Sequence, residues 1–500
     1  MNGSSPHKAA TPGSLRELAE VAIPLIFSAG SMMLMHFIDR IYLTWYDSSA
    51  LAASTPAGML NWTTMAVPIG TVAYVNSFIS QYHGADRPDR ISRSIWQAVY
   101  LGLIFYIAIL PFAGLAWYLI PFFGHAPEVV RMERAYYLAM ILTSLPMILK
   151  TALSAFYSGR GETGVILKVN LLMVSINVTL DPILIYGFGP VPELGIAGAG
   201  LATFVTMTVG VGAYVGLLSR QRERELFRFW KERTWDAELI RRMIRYGFPS
   251  GMQSLFDAGA FTLFLFMVGR LSQNALAATN LAFNLNTLVF IPMLGVGTAI
   301  TVLVGRHIGE GRPDLASRTT WMAMIATGSI VLLFCGVYIV APEHLLSPFR
   351  YYANPEEFAQ VQPLVLKILK FVAIYSLFDV MLVVFGSAIR SAGDTRVSFL
   401  VNLCSGWFLM VLPVVIMESQ GILTLSRCWY ACTANIVVSG LIFLLRFQYG
   451  PWREMQVIEA ELIPDSLESH DREDSPSVVV SDAIGSLLVD VAIVESPTEQ

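Results

Sequence analysis

The sequence predicts an all-α integral membrane protein: twelve transmembrane helices in two six-helix repeats, related by a pseudo-two-fold axis along the membrane normal. Three observations lead there. Of 500 residues, 55% are hydrophobic and only 14% charged, with a mean hydropathy of +0.58, whereas a soluble domain carries about 25% charged residues. Twelve apolar runs reach the roughly 20 residues needed to cross the hydrocarbon core. Short motifs of the first half also return in the second at fixed offsets.

The runs of the first half fall at 18–44, 51–81, 94–118, 134–157, 164–187 and 195–218, and those of the second at 247–271, 276–305, 320–341, 363–389, 397–417 and 424–447. Pro24, Pro68, Pro146, Pro249, Pro292 and Pro413 lie inside them, as membrane bundles tolerate at kinks and breaks. Leu51-Ala52-Ala53 returns as Leu276-Ala277-Ala278, and Gly84-Ala85-Asp86-Arg87-Pro88-Asp89 as Gly309-Glu310-Gly311-Arg312-Pro313-Asp314, both at an offset of 225. Gly161-Glu162-Thr163 matches Gly393-Asp394-Thr395, and Asn170 matches Asn402, at an offset of 232. An even number of helices per copy gives both copies the same orientation, the parallel type of repeat.

Basic residues mark one end of the bundle. Arg87, Arg90, Arg93, Arg160, Lys168, Arg306, Arg312, Arg318, Arg390 and Arg396 sit in or beside alternate loops, and the loops 45–50, 188–194, 272–275 and 418–423 carry no Lys or Arg. Arg131 and Arg350 depart from the pattern. By the positive-inside rule both termini are expected in the cytoplasm, and the expected location is the cytoplasmic (inner) membrane. The first 17 residues form a cytoplasmic arm without signal-peptide character. Residues 18–218 make the amino lobe, 219–246 a connector and 247–447 the carboxyl lobe. The connector mixes nine basic and five acidic residues with Leu226, Phe227, Phe229, Trp230 and Trp235, the pattern of an amphipathic segment at the headgroups. Residues 448–500 turn acidic, as in DSLESHDREDSPS, and read as a disordered cytoplasmic tail; SVVVSDAIGSLLVDVAIV within it suits a docking segment.

Function is best sought in the acids inside helices, because a carboxylate at mid-membrane costs about 2.5–3.5 kcal/mol on insertion scales and usually serves an ion or proton path. Four are expected there: Asp39, Asp181, Asp257 and Asp379. Tyr375 precedes Asp379 by one turn on the same face, and Asp257 is the expected second carboxylate beside them. Such oxygen donors suit a small cation such as Na⁺, or a proton carrier. Asn177 and Asp181 lie a turn apart, and Pro182 frees the Val178 carbonyl four residues before it. His36 and Asp39 have no third partner for a metal site. Cys335, Cys404, Cys428 and Cys432 read as inert apolar thiols.

No Walker A, HExxH, GxSxG or DDxxD pattern occurs, so neither an ATP-driven module nor an enzyme is expected, and no cofactor beyond a coupling ion. The basic residues do not gather on one face, which argues against nucleic acid.

These residues resemble the multidrug and toxic compound extrusion (MATE) family, most closely its bacterial NorM branch. The resemblance covers 18–447 and rests on the helix 1 Asp followed by LAA, the GADRPD loop, SGRGET, the stretch NVTLDPILIYGFGPVPELGIAGAGLAT at 177–203, and SAGDT. It implies a V-shaped pair of six-helix lobes exporting organic cations and other amphipathic drugs against Na⁺ or H⁺ entry. It also implies an amino-lobe ion site of Asp39, Asn177, Asp181 and Thr203, and a carboxyl-lobe cation site of Tyr375, Asp379 and Asp257. Here helix 7 carries Asp where that branch commonly has Glu, and Arg40 stands beside Asp39. A monomer embedded in lipid and taking a small organic cation is expected. The rival is a flippase for a lipid-linked oligosaccharide or other amphipathic lipid, which needs a more cationic cavity than these acids offer.

Overall fold

The computed structural model describes residues 11–352 and 355–462. The amino lobe holds α1 (Leu15–Tyr46), α2 (Ser48–Ala73), α3 (Val75–Gly84), α4 (Pro88–Leu119), α5 (Pro127–Ser158), α6 (Thr163–Tyr186) and α7 (Ile196–Leu218). A short α8 (Gln221–Phe227) lies in the connector. The carboxyl lobe holds α9 (Ala237–Leu271), α10 (Gln273–Gly309), α11 (Pro313–Val340), α12 (Pro342–Tyr352), α13 (Pro355–Ala392), α14 (Thr395–Cys404), α15 (Leu412–Ser419) and α16 (Leu425–Tyr449). A π-helical stretch, Ser405–Val411, joins α14 to α15 in one rod.

Among the described residues eleven spans are long and apolar enough to cross a membrane. The remaining expected span is the rod of α2 and α3. It breaks at Tyr74 and carries Asn61, Thr63, Thr64 and two prolines, which lower its hydropathy. The helices outrun the apolar runs because their first turns are polar. Pro88 and Pro313 open α4 and α11, where the missing amide hydrogen costs nothing. Ser14, Asp47, Asp236, Ser272 and Thr424 cap α1, α2, α9, α10 and α16 through their side-chain oxygens, satisfying amides that have no partner within the helix.

The two repeats meet about their own symmetry. The offset of 225 maps Gly84 onto Gly309 and Gln81 onto Arg306. A Cβ on Gly84 would run into the Arg306 carbonyl, and one on Gly309 into the Gln81 carbonyl. The α3–α10 contact is thus made twice, once in each direction. Hydrogen bonds between lobes cluster at this same end, where the basic loops lie. Tyr74 Oη donates to the Arg390 carbonyl at 2.7 Å, and Gln81 Nε2 to the Ser391 carbonyl at 2.9 Å.

The connector packs inward more than an amphipathic segment resting on headgroups would. Phe227 and Phe229 are buried, and Trp96 Nε1, Gln97 Nε2 and Tyr100 Oη donate to the carbonyls of Phe229, Thr234 and Arg233. Arg160 anchors it. Its guanidinium pairs with Glu223 at 3.0 Å and Glu162 at 2.8 Å, and lies 4.1 Å from the Phe156 ring and 4.4 Å from that of Phe227. Removing one partner of a buried pair costs about 3–5 kcal/mol because the other is left uncompensated. Arg160→Gln is therefore expected to lower thermal stability in detergent by about 3 kcal/mol, read as earlier loss of the monodisperse chromatographic peak on heating.

The disorder expected from 448 does not hold for the first residues of that stretch, since α16 runs on to Tyr449. Residues 451–459 pack across the basic-loop end with Trp452, Val457 and Ile458 buried, because aromatic and branched residues are interspersed among their charges. The segment expected to dock at 477–494 and the arm residues 1–10 lie outside the described residues.

Candidate functional site

The amino-lobe set forms around α6. Asn177 and Asp181, one turn apart, are both fully buried. Asp39 of α1 stands near Asp181, since α1 packs along α6. Neither Asp181 oxygen, nor Asp39 Oδ1, nor either amide atom of Asn177 has a hydrogen-bond partner in the protein. His36 Nδ1 stands 3.8 Å from Asp39 Oδ2. Arg40 is exposed and, among the described residues, makes no direct ion pair with Asp39.

The Val178 carbonyl, released by Pro182, lies 3.5 Å from Tyr42 Oη. Thr203 is buried on α7, which packs on α6. Its hydroxyl donates to the Ala199 carbonyl at 3.0 Å, leaving oxygen lone pairs free, and no hydrogen bond joins it to the acids among the described residues. Tyr136 of α5 completes the surroundings, within electrostatic reach of Asp39, Asp181 and Arg40.

The carboxyl-lobe set comes together only in part. Tyr375 is buried and stacks on Trp429, with 6.3 Å between centroids and 12° between planes. Asp379 is half-buried near Tyr375 and Cys432, and makes no hydrogen bond or ion pair among the described residues. Asp257 stands beside Gln253 and in the field of Arg390, and among the described residues no hydrogen bond joins it to Tyr375 or Asp379. Arg390 lies on the inner side of α13 near Asp257. Rather than entering the water beyond α13, its side chain folds back over Gly386 and donates from Nη2 to Ser387 Oγ at 3.2 Å. Among the described residues no three His, Cys, Asp or Glu side chains gather as a metal cluster. A cation here would rest on neutral oxygens as well as acids.

The amino-lobe geometry has a simple chemical meaning. Carboxylate oxygens accept and do not donate, and a buried unpaired polar group costs about 1–3 kcal/mol, more when charged. Two facing acids with an amide at hand are suited to holding a proton between them or a small cation.

A family model described as MatE matches residues 24–183 and 249–416, one match in each lobe. The chain belongs to the MatE family. Curated relatives named "Probable multidrug resistance protein NorM" include one from Deinococcus radiodurans, 26% identical over 88% of this chain and 96% of its own. Another, from Thermotoga maritima, is 23% identical over 92% and 97%. Among solved structures, an outward-facing MATE transporter of the MOP superfamily superposes with a TM-score of 0.79 at 18% identity, covering 88% of this chain and 95% of that one. A eukaryotic MATE transporter, AtDTX14, gives 0.76 at 17% identity, over 88% and 98%. These likenesses fix the fold as that of a multi-pass MATE transporter.

Within this MatE chain, sequence reasoning missed Tyr136, Gln253 and the inward turn of Arg390. Only the polar face of α9, where Gln253 precedes Asp257 by one turn, carried a usable signal.

Proposed function

We propose that the protein is a secondary antiporter that exports amphipathic, mostly cationic organic compounds in exchange for H⁺ or Na⁺. It works as a monomer in the cytoplasmic membrane with the basic loops and both termini inside. The observation that carries this reading is the set of buried oxygens without a protein hydrogen-bond partner at Asp181, Asn177 and Asp39 Oδ1, an acidic ion site inside a bundle closed at one end. The names of the bacterial relatives support the cargo class.

Ion and cargo drive exchange only through different affinities for the two states. With the basic-loop end closed, the acids meet the outer solution, bind the coupling ion and lower the affinity for cationic cargo. The ion-loaded lobes then reopen inward, where the ion leaves and a new cation binds. Asp379 with Tyr375 supplies a second candidate ion site, and Asp257 acts with Arg390 instead of completing that site.

The test is efflux of a fluorescent cationic dye from proteoliposomes under a Na⁺ gradient and, separately, a pH gradient. Wild type is expected to move dye under at least one. If Na⁺ is the ion and the carboxyl lobe its site, Asp379→Asn abolishes the Na⁺-driven component and spares any proton-driven one. Dye that moves under neither gradient, in protein shown to be folded, would sink the exporter reading and favour the lipid flippase.

A further inference from the structure

The inter-lobe contacts at the basic-loop end hide an asymmetry. The offset that relates the repeats pairs position 17 with 242 and position 82 with 307, so the seam holds two equivalent clasps. In the first, Glu17 of α1 carries the acid across the seam. Its carboxylate lies 3.7 Å from Arg306 Nη1 and 3.8 Å from His307 Nε2 of α10. In the second, the equivalent of Glu17 is Arg242 of α9, and the equivalent of His307 is Tyr82 of α3. Arg242 Nη2 and Tyr82 Oη stand 3.2 Å apart. Neither of these two is an acid.

The missing acid comes from the far end of the chain. Glu459 accepts from Tyr82 Oη at 2.8 Å and from Arg242 Nη2, and Arg90 Nη2 lies 3.6 Å away. Two residues earlier, the Val457 amide donates to Gln81 Oε1 at 2.9 Å. The rest of the segment is fastened to the carboxyl lobe. Trp452 stacks on Phe447 at 4.7 Å between centroids and donates to its carbonyl at 2.6 Å, and Arg453 Nη2 donates to Ser317 Oγ at 3.3 Å. Val457 also packs over Gly393, 3.1 Å from where a Cβ would stand. Burial alone would raise the Glu459 carboxyl, but the Arg242 hydrogen bond and its other partners leave it below its ordinary value, so it is charged at neutral pH.

We propose that residues 451–459 are a latch between the lobes, in which Glu459 supplies the acid of the second clasp and holds the basic-loop end closed. Its anchor stays with the carboxyl lobe and its tip grips Gln81, Tyr82 and Arg90 of the amino lobe. Opening toward the basic-loop side therefore requires the tip to let go. This extends the alternating-access reading above: Glu459 is a positioning residue that sets the balance between the two states without touching cargo or ion.

The test uses the full chain in lipid nanodiscs, with Cys404→Ser to remove the exposed thiol. Spin labels go on cysteines replacing Asp89 and Asp314, which are equivalent positions in the two lobes. Wild type is expected to show mainly the short separation. Glu459→Gln should raise the ratio of long to short separation roughly tenfold, as for loss of a charge-assisted bond. Arg242→Gln should act in the same direction but less strongly, because the Tyr82 and Arg90 contacts of Glu459 remain, and the double variant should fall short of the sum of the two because they share the Arg242–Glu459 contact. Glu459→Asp should keep a larger short population than Glu459→Gln. Superimposable distances for Glu459→Gln and wild type would overturn the latch, and so would a drop in melting temperature with the distances unmoved. A shift in distance alongside wild-type protein that fails to transport dye would support the latch and refute only the exporter reading.

Discussion

Replacing either Asp39 or Asp181 with asparagine is expected to bring gradient-driven dye efflux down to the leak of empty liposomes, at least roughly a hundredfold loss of coupling. The argument is thermodynamic. A coupling ion biases two states only by its differential affinity for them, and moving an equilibrium from 1:99 to 99:1 takes about 10⁴-fold discrimination. In the amino lobe the proposed site offers two neighbouring carboxyls, of which both Asp181 oxygens and Asp39 Oδ1 are buried without a protein hydrogen-bond partner. An asparagine leaves one acid beside an amide that donates to it, so the site satisfies itself and loses its demand for a proton or cation. Both variants are expected to fold, because an internal hydrogen bond replaces an unpaired charge. The measurement is efflux against gradient size, with protein recovery and cargo binding as controls. Wild-type dependence of efflux on the gradient in Asp181→Asn would eliminate the pair as the coupling site.

Much of this was legible in the sequence, for physical reasons that differ by element. The membrane rods were, because lipid forces every backbone polar group into internal hydrogen bonds over a fixed thickness. The repeat was, because both copies must meet the same seam: Gly84 and Gly309 are kept at one offset by a mutual contact neither can make with a side chain. The Asn177–Asp181 face was, since helical spacing alone puts the two side chains on one side. What escaped depends on distant contacts. Asp257 was expected with Asp379, but its neighbours are Gln253 and Arg390, whose side chain folds back along α13. Charge at a helix end says nothing of which way a long side chain turns. Residues 451–459 looked like the start of an acidic tail, since local composition cannot reveal that Glu459 meets Arg242 and Tyr82.

The seam yields the second large effect. Gly84→Ala or Gly309→Ala is expected to shift the protein strongly away from the state closed at the basic-loop end. In each case the new methyl would sit on a backbone carbonyl of the other lobe, Arg306 for Gly84 and Gln81 for Gly309. A flexible side chain could rotate aside; a helical carbonyl cannot. Overpacking of this kind costs about 1–3 kcal/mol, which is roughly 5–150-fold in a two-state equilibrium. The cost falls on the closed state alone, since separated lobes no longer bring the methyl and carbonyl together. Because the contact is made twice by symmetry, the two single substitutions should act alike and the double should exceed either. Gly212→Ala, where an added Cβ meets nothing within 4 Å, should leave the equilibrium unchanged. The readout is the inter-lobe distance between labels at positions 89 and 314, supported by slower dye efflux wherever the closed state becomes scarce. If Gly84→Ala kept the wild-type distance distribution, the seam would be soft enough to absorb a methyl, and the close glycine contacts could not be what sets the closed state.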